Sequence, residues 1–433
     1  MNGMASGLTL ENVRLLDPSA RRDGPGCLTL INGRIAAPAP ALQIPRIDAR
    51  GWAVAPGFVD LHVHFREPGG EAAETIASGA RAAARGGFTT VLTMPNTRPP
   101  IDTPDRLRAA LARHAAVATT ARVLASACLT SERAGRELSD IEALAAAGAV
   151  AFTDDGSAVA DTRLMRAALA VCARLNRPLL QHALDPAACG VAHDGKFAAR
   201  HGFPGIPATA ETSLIARDLE LAAETGGALH VQHISAAASL PLLAAARRAG
   251  VNVTTEATPH HLFFCDDDIP DTDTNFKMSP PLRTAADRAA LRQAVADGAI
   301  GVLATDHAPH IQERKALGWM DAPCGALGLE SAIGATYRAL VTEQRMAVLD
   351  WVARWTLGPA SVLGLPAPGL EHGAPADLVV LDLDTEWTMS VKDLASQSQN
   401  CPFIGQRLHG RVVATLLGGQ CTWASPAWLE RCT

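Results

Sequence analysis

Two histidines separated by a single residue, His62 and His64, have the residue type and spacing that could hold a metal ion. They lie in the run Asp60-Leu61-His62-Val63-His64-Phe65-Arg66, whose apolar residues predict a strand. Residues two apart share one face of a strand, so His62, His64 and Arg66 are expected to point to the same side. Taken alone, the histidine pair fits two interpretations, metal ligands or hydrogen-bonded residues of an ordinary protein core.

Four further imidazole or carboxylate residues come at the ends of other predicted strands: Asp155, His182, His233 and Asp306. Without a ligand, apolar strands that end in such residues would bury several unpaired polar groups in one place. Four imidazoles and two carboxylates that converge suit zinc, which accepts nitrogen and oxygen ligands. The six residues together therefore predict a zinc site.

Zinc in such a site would make water reactive. A catalytic zinc keeps a coordination position open for water and lowers the pKa of that water from roughly 15.7 to about 7. Asp306 lies in the run Ala304-Thr305-Asp306-His307-Ala308-Pro309-His310. Its carboxylate could take a proton from the water and later give it to a leaving nitrogen. Asp306 could also be a metal ligand only, or serve in both roles.

The middle of the chain has an alternating strand and helix pattern, which is typical of folds in which the ends of the strands converge. Apolar, β-rich runs alternate with Ala- and Leu-rich helical patterns, and eight such units over roughly 250 residues are typical of a (β/α)8 TIM-like barrel. The predicted strands are 58–65, 89–94, 122–127, 149–153, 178–182, 229–234, 251–256 and 301–306. An open doubly wound sheet is the alternative, but no Gly-rich phosphate-binding loop follows the first strand.

The two ends of the chain have a different pattern, with short alternating runs broken by Gly and Pro. Asn32-Gly33 between apolar runs predicts a hairpin, and similar runs recur at 376–383 and 411–417. We therefore predict that residues 1–56 and 364–433 meet in a small β-sandwich domain. Residues 57–363 would form the (β/α)8 barrel.

Composition limits the partners and the compartment. The net charge of −6 gives no reason to expect nucleic acid or an anionic membrane as a partner. No apolar run approaches the 18 or so residues of a membrane span, and the first ten residues do not resemble a signal peptide. The nine cysteines are scattered without a CxxC pair, which is typical of reduced thiols in a cytoplasmic protein.

Five blocks of the sequence, taken in order, resemble dihydroorotases of class I type within the amidohydrolase superfamily. They are 56–69, with its His62-Val63-His64-Phe65-Arg66 core, Met94-Pro95-Asn96-Thr97, Phe152-Thr153-Asp154-Asp155-Gly156, 256–262 and 304–310. Residues 373–380 resemble the return of the chain into the small β domain of that superfamily. A His-x-His pair is a weak signal by itself, whereas the ordered set is highly specific.

The resemblance implies the reversible, zinc-dependent cyclisation of N-carbamoyl-L-aspartate to (S)-dihydroorotate, a step of de novo pyrimidine (UMP) biosynthesis. It implies one or two zinc ions per chain. The pair His62 and His64 would bind one ion, and His182 and His233 would complete a second position. Asp155 would stand where related enzymes often have a carboxylated lysine, and would bridge the two ions.

The resemblance also distinguishes between the two neighbouring aspartates and assigns the proton carrier. It favours Asp155 over Asp154, because the 27-residue gap to His182 fits the family pattern. Asp306 would be both a metal ligand and the general acid/base.

A substrate clamp formed by Arg66, Asn96 and His310 is implied as well. The Arg66 guanidinium would bind a substrate carboxylate with two hydrogen bonds, and one charge-assisted bond contributes about 1.5–3 kcal/mol. Gly325, in the long loop after the eighth strand, could bring backbone amides to the substrate ring. Ser279 stands where many dihydroorotases have an asparagine that contacts substrate, and serine reaches less far.

Two other functions fit parts of the pattern. Hydantoinase-like and allantoinase-like cyclic amidohydrolases usually rely on a carboxylated lysine where this chain has Thr153-Asp154-Asp155-Gly156, and they lack the combination of Arg66 and Asn96. A non-catalytic dihydroorotase-like subunit of aspartate transcarbamoylase would lack the His-x-His pair, which is present here. We also expect a homo-oligomer, and an active enzyme could associate with aspartate transcarbamoylase.

Overall fold

The first part of the chain forms five strands of a sheet that the C-terminal segment later completes. The computed structural model describes residues 7–38 and 43–432, so residues 1–6 and 39–42 of the predicted N-terminal segment and residue 433 of the C-terminal one lie outside it. The strands are β1 (Gly7–Asp17), β2 (Arg22–Ile31), β3 (Arg34–Ala36), β4 (Arg46–Asp48) and β5 (Ala53–Pro56). Asn32 and Gly33 turn the chain between β2 and β3 with positive φ angles of 51° and 77°, which confirms the predicted hairpin.

The middle of the chain forms a nearly closed parallel barrel. The ten strands of this part of the chain are β6 (Phe58–Val63), β7 (Phe88–Thr93), β8 (Arg122–Ala127), β9 (Ala151–Phe152), β10 (Leu179–Gln181), β11 (Ala192–His193), β12 (Gly205–Ile206), β13 (Leu229–Val231), β14 (Val253–Ala257) and β15 (Val302–Leu303). Eight of them lie side by side in the order β6-β7-β8-β9-β10-β13-β14-β15, and β11 with β12 forms a separate pair. The barrel closes just beyond the strands, where the His64 amide donates to the carbonyl oxygen of His307 at 2.8 Å. The predicted barrel fold is confirmed.

Helices connect the barrel strands, and several begin at a polar capping residue. Thr75 and Thr103 accept backbone N–H groups at the starts of the first two helices. The helices are α1 (Ile76–Arg85), α2 (Pro104–Ala116), α3 (Ile141–Ala147), α4 (Thr162–Leu175), α5 (Lys196–His201), α6 (Thr209–Thr225), α7 (Ser239–Arg248), α8 (Pro259–Phe263), α9 (Ala285–Ala296), α10 (Gln312–Lys315), α11 (Gly318–Asp321), α12 (Ala332–Thr336), α13 (Val348–Trp355) and α14 (Leu357–Leu363). Within the described ranges, none is long and apolar enough to cross a lipid bilayer.

The C-terminal segment returns to the sheet formed by the N-terminal one. It contributes β16 (Leu378–Thr388), β17 (Arg407–Leu417) and β18 (Gln420–Ala424), followed by α15 (Pro426–Cys432). The sheet order is β18-β17-β16-β5-β1-β2-β3, with β4 beside β1. The two ends of the chain thus meet in one small β unit beside the barrel, as predicted.

An apolar layer fills the barrel interior below the carboxyl ends of the strands. It includes Leu61, Leu92, Leu180 and Ala304, all fully buried. Leu180 and Ala304 precede His182 and Asp306 by two residues, so each of these two apolar residues of the layer comes just before a polar residue that lies beyond the end of its strand. The layer makes the barrel interior a packed core below the carboxyl ends of the strands, where active sites of such barrels lie.

Candidate active site

The six predicted metal ligands meet at the carboxyl ends of the barrel strands, and all six are buried. His62 Nε2 lies 3.3 Å from Asp155 Oδ1, and His64 Nε2 lies 3.0 Å from Asp306 Oδ1. On the other side of the cluster, His182 Nδ1 lies 2.9 Å from His233 Nε2. The structure therefore brings together residues that are up to 244 positions apart in the chain.

Two overlapping groups within this cluster could each hold a metal ion. One contains His62, His64 and Asp306, and the other contains His62, Asp155 and His233. In each group, one ligand atom per residue lies within 4.8 Å of the others. His62 belongs to both groups, so two ions bound here would be close neighbours.

The chemical types of the donor atoms in the cluster suit a divalent metal ion. His62 Nε2 and Asp155 Oδ1 are buried without a hydrogen-bond partner in the described chain, although they lie near each other. Buried polar atoms left unpaired cost free energy, so a ligand that accepts both nitrogen and oxygen donors would stabilise the site. Imidazole nitrogens with carboxylate oxygens are the set that zinc and similar ions bind.

The neighbouring aspartates after β9 have different surroundings. Asp154 Oδ1 accepts the backbone N–H groups of Leu129 at 2.9 Å and Thr130 at 3.1 Å, and its other oxygen accepts the Thr130 hydroxyl. Asp154 thus stabilises the loop after β8. Asp155, in contrast, points toward His62 and His64.

A buried carboxylate in β14, Glu256, lies behind the histidine cluster. His230 Nε2 donates to Glu256 Oε2 at 3.0 Å, and Glu256 Oε1 lies 2.7 Å from His62 Nδ1. Burial would raise the pKa of Glu256, but the charge of His62 and the hydrogen bonds from His230 and His62 lower it to about 2. Glu256 is therefore a fixed negative charge next to the proposed ligand His62.

A second buried carboxylate, Asp60, ties the first barrel strand to the last. Its Oδ1 accepts the backbone N–H groups of His62 and Thr305, each at 3.1 Å, and its Oδ2 accepts the Thr305 hydroxyl at 2.5 Å. Burial raises the pKa of Asp60 to about 7, while the bonds from Thr305 and His62 act in the opposite direction. Asp60 thereby fixes the backbone at His62 and at Thr305, the residue before the candidate ligand Asp306.

Two candidate ligands have unusual backbone conformations. His233 has a φ of 30° and Asp306 a φ of 48°, in the left-handed region that residues with a Cβ seldom adopt. Such strain persists only where surrounding contacts hold it, and it is concentrated at functional sites. Both residues lie just beyond the ends of their strands, β13 and β15, and both side chains lie in the cluster.

Asp306 is ionised in this environment. Burial would raise its pKa, but the charge of His62 and the hydrogen bond from His64 outweigh burial and lower the pKa below its ordinary value. An ionised carboxylate among the histidines can accept a proton or coordinate a cation. Both roles foreseen for Asp306 are therefore compatible with its surroundings.

A cavity of about 180 Å³ opens beside the cluster, and its walls contain the five predicted substrate-binding residues: Arg66, Asn96, Ser279, His310 and Gly325. Arg66 Nε donates to the Pro309 carbonyl oxygen at 3.1 Å, and its Nη2 lies 3.4 Å from His310 Nε2. His64 Nδ1 donates to Asn96 Oδ1 at 3.0 Å. Burial lowers the pKa of Arg66 to about 10, which leaves it charged at neutral pH. The cavity therefore has one fixed cation, Arg66, beside the cluster of candidate ligands.

The backbone of Gly325 is engaged within the protein. Its N–H donates to the Lys277 carbonyl oxygen at 2.8 Å, and its own carbonyl oxygen accepts from Lys315 Nζ at 3.1 Å. Gly325 has a φ of 119°, and a Cβ there would lie 2.6 Å from the Cβ of Ala308. Glycine is required at this close approach. The backbone amide of Gly325, which was expected to face a substrate ring, instead donates its hydrogen bond to Lys277.

Glu256, Asp60 and Asn400 border the site, although no sequence motif predicts a role for them. The only signal for the first two is a carboxylate inside a predicted barrel strand, where burial demands a partner. Asn400 lies in an irregular stretch of the C-terminal segment and carries no such signal.

Comparisons with known proteins give consistent results. A family model described as "Dihydro-orotase-like" matches residues 51–239. A dihydroorotase from Geobacillus thermodenitrificans is 46% identical over 379 residues, which cover 87% of this chain and 88% of the relative. A dihydroorotase from Staphylococcus epidermidis is 42% identical over 422 residues, which cover 97% of this chain and 98% of the relative.

Solved structures of related hydrolases share the architecture. The L-hydantoinase (dihydropyrimidinase) of Arthrobacter aurescens matches with a TM-score of 0.83 at 26% identity, and 96% of each chain is covered. The dihydropyrimidinase of Brevibacillus agri NCHU1002 matches with a TM-score of 0.84 at 21% identity, over 96% of this chain and 94% of that one. At 21% identity, the second likeness concerns the fold alone.

Proposed function

The chain belongs to the dihydroorotase family, and from this premise we propose that it interconverts N-carbamoyl-L-aspartate and (S)-dihydroorotate in de novo pyrimidine biosynthesis. One observation carries the proposal: a buried cluster of four imidazoles and two carboxylates opens into a cavity that holds the charged Arg66. The cluster suits hydrolysis and formation of an amide, and the cation suits a substrate that carries a carboxylate.

We propose that the cluster holds zinc, as one or two ions per chain. His62 and His64 would hold one ion with Asp306, and His182 and His233 would hold a second, with Asp155 between them. When bound, the metal supplies the Lewis acidity that makes water a nucleophile at neutral pH. The unpartnered buried atoms His62 Nε2 and Asp155 Oδ1 support this assignment.

Asp306 would carry the proton in both directions. In ring opening, its carboxylate takes a proton from the attacking water and delivers it to the ring nitrogen as the amide bond breaks. In ring closure, it takes a proton from the ureido nitrogen that attacks the carbon of the protonated carboxyl group, and it gives that proton to the departing hydroxide, which leaves as water. The ionised state and buried position of Asp306 support this role.

The substrate would be held by side chains on the open side of the cavity. The Arg66 guanidinium binds a carboxylate of the substrate, and Asn96, Ser279 and His310 complete the clamp with hydrogen bonds. Burial lowers the pKa of His310 to about 3, and the nearby Arg66 charge acts in the same direction, so His310 is a neutral hydrogen-bonding group at neutral pH. Gly325 would contact the substrate through its Cα, because its amide and carbonyl are engaged.

The test is an assay of both directions on purified protein whose zinc content has been measured. We expect turnover of N-carbamoyl-L-aspartate and of dihydroorotate with at least one zinc per chain. Turnover of hydantoin or allantoin alone would overturn the proposed substrate in favour of a hydantoinase-like enzyme. Less than one zinc per chain together with no turnover would instead support a non-catalytic subunit of aspartate transcarbamoylase.

The proposal extends to assembly and compartment. We propose a homo-oligomer that can associate with aspartate transcarbamoylase, and light scattering of the protein with and without that enzyme tests both assemblies. We place the protein in the cytoplasm. Its nine cysteines, all of which are free thiols, support this placement.

A further inference from the structure

Asn400 lies outside the barrel and contacts the wall of the cavity at three points. Its Oδ1 accepts the backbone N–H of His310 at 3.0 Å, and its Nδ2 donates to the carbonyl oxygens of Ala308 at 3.0 Å and Gly325 at 3.2 Å. Ala308, His310 and Gly325 all line the cavity. One side chain thus joins two distant parts of the long loop after β15, at the proposed substrate site.

The chemistry of these partners requires an amide at this position. The His310 N–H can only donate, and the two carbonyl oxygens can only accept, so the side chain must offer one acceptor and two donors. The side-chain amide of asparagine has one acceptor oxygen and two N–H donors. All three are used by Asn400, which is only 4% exposed. An aspartate there would keep the acceptor but place an oxygen against two carbonyl oxygens.

Asn400 is the last residue of a segment that is anchored to the barrel by other contacts. We call residues 395–400, between β16 and β17, the strap. The first two amides of the strap donate to Glu330 Oε1 at 2.9 and 2.8 Å. Gln397 Nε2 donates to the Glu71 carbonyl oxygen at 3.1 Å, and Ser398 Oγ donates to that of Ala73 at 2.7 Å. These bonds hold the strap in place independently of Asn400.

We propose that Asn400 is a positioning residue for substrate, which sets the distance between the His310 side and the Gly325 side of the cavity. The inference rests on the proposed function, in which both of these residues face the substrate. The side-chain hydrogen bonds of Asn400 go to cavity-wall residues and to none of the six candidate metal ligands. Its loss should therefore weaken substrate binding while metal binding and proton transfer continue.

The test compares Asn400→Ala and Asn400→Asp with the control Ser398→Ala, which removes a buried anchor of the same strap. For each variant, the KM and kcat for dihydroorotate, the zinc content and the thermal midpoint are measured. We expect both Asn400 variants to raise KM by about tenfold or more, with kcat within about threefold and zinc content unchanged. Ser398→Ala should leave KM within about twofold of the wild-type value.

Several results would overturn the proposal. An unchanged KM in the Asn400 variants would show that the three bonds do not position the substrate. Loss of zinc would move the role of Asn400 to the metal site, and an equal rise of KM in Ser398→Ala would assign the effect to the strap as a whole. If Asn400→Ala does not fold, Asn400→Asp decides the question by the same criteria. An inactive wild-type protein would overturn the proposed function itself, and this inference with it.

Discussion

Nδ1 of His62 lies 2.7 Å from Oε1 of Glu256, and the same oxygen accepts the backbone N–H of His233 at 3.1 Å. A single carboxylate oxygen thus fixes two candidate metal ligands, one in β6 and one just after the end of β13. Because Nδ1 of His62 is directed to Glu256, Nε2 is left to face Asp155 and Asp306. The bond to His233 also helps to hold the strained φ of that residue.

We expect Glu256→Gln to lower zinc affinity by about 10- to 100-fold, the usual effect of removing a carboxylate that orients a ligating histidine. The amide keeps the size of the side chain but loses the negative charge that favours the required orientation of His62. Competition with a chromogenic chelator measures the affinity. Glu330→Gln is a matched control, since Glu330 is a buried carboxylate that accepts amides of the strap. Equal zinc affinity in Glu256→Gln and wild type would contradict this role.

Asp306→Asn should retain zinc and lose turnover, because it removes the group that carries the proton. Removing a general acid/base typically lowers kcat by about 10²- to 10⁴-fold. Steady-state kinetics and metal analysis of the same preparation separate the two effects. Asp154→Asn is the control, since Asp154 is a buried neighbour of the site that binds the Thr130 backbone, and it should keep most of the activity. A variant Asp306→Asn that stayed active near neutral pH would exclude the acid/base role.

The positions of the candidate ligands follow from sequence more readily than the contacts that hold them. In a barrel, strand ends converge, so one polar residue at the end of each apolar run already places His182 and Asp306 together. The length of the last strand was less predictable. It covers only Val302–Leu303, because Thr305 bonds to Asp60 and Asp306 turns into the left-handed region.

Contacts between residues far apart in the chain could not be predicted from one sequence. Glu256 and His62 are 194 positions apart, and nothing local to either residue indicates that they meet. Asn400 follows a stretch without helical or strand periodicity, and its role depends on how the strap crosses the barrel. Gly325 was recognisable as a loop residue, but the engagement of its amide by Lys277 depends on the folded loop.

Arg66→Met should raise the KM for dihydroorotate by about 10- to 100-fold, which is the loss of roughly 1.5–3 kcal/mol from a charge-assisted bond to a carboxylate. kcat should change less, because Arg66 faces the substrate and lies outside the set of metal ligands. Arg66→Lys tests geometry, since it keeps a positive charge but cannot form two parallel bonds. We expect an intermediate KM for it. A KM that stays at the wild-type value in Arg66→Met would remove Arg66 from the clamp.

His114 should make the stability of the fold depend on pH, at a position in α2 remote from the candidate metal ligands. The residue is 5% exposed, its Nδ1 has no hydrogen-bond partner among the described residues, and burial lowers its pKa from 6.5 to about 4. As pH falls through about 6.5, the unfolded chain takes up a proton at His114, whereas the folded chain resists until about pH 4. Unfolding therefore becomes easier in this window, and stability is regained as pH rises. The expected contribution is roughly 2 kcal/mol at about pH 5 relative to neutral pH.

Urea unfolding of zinc-free wild type and His114→Gln at neutral pH and at about pH 5 measures this contribution, because the other buried histidines titrate alike in both proteins. The loss of stability on acidification should be smaller in the variant by that amount. His372→Gln, which removes an exposed histidine, controls for the loss of an imidazole from the chain. An identical pH dependence in His114→Gln and wild type would mean that His114 is protonated in the folded protein as readily as in the unfolded one.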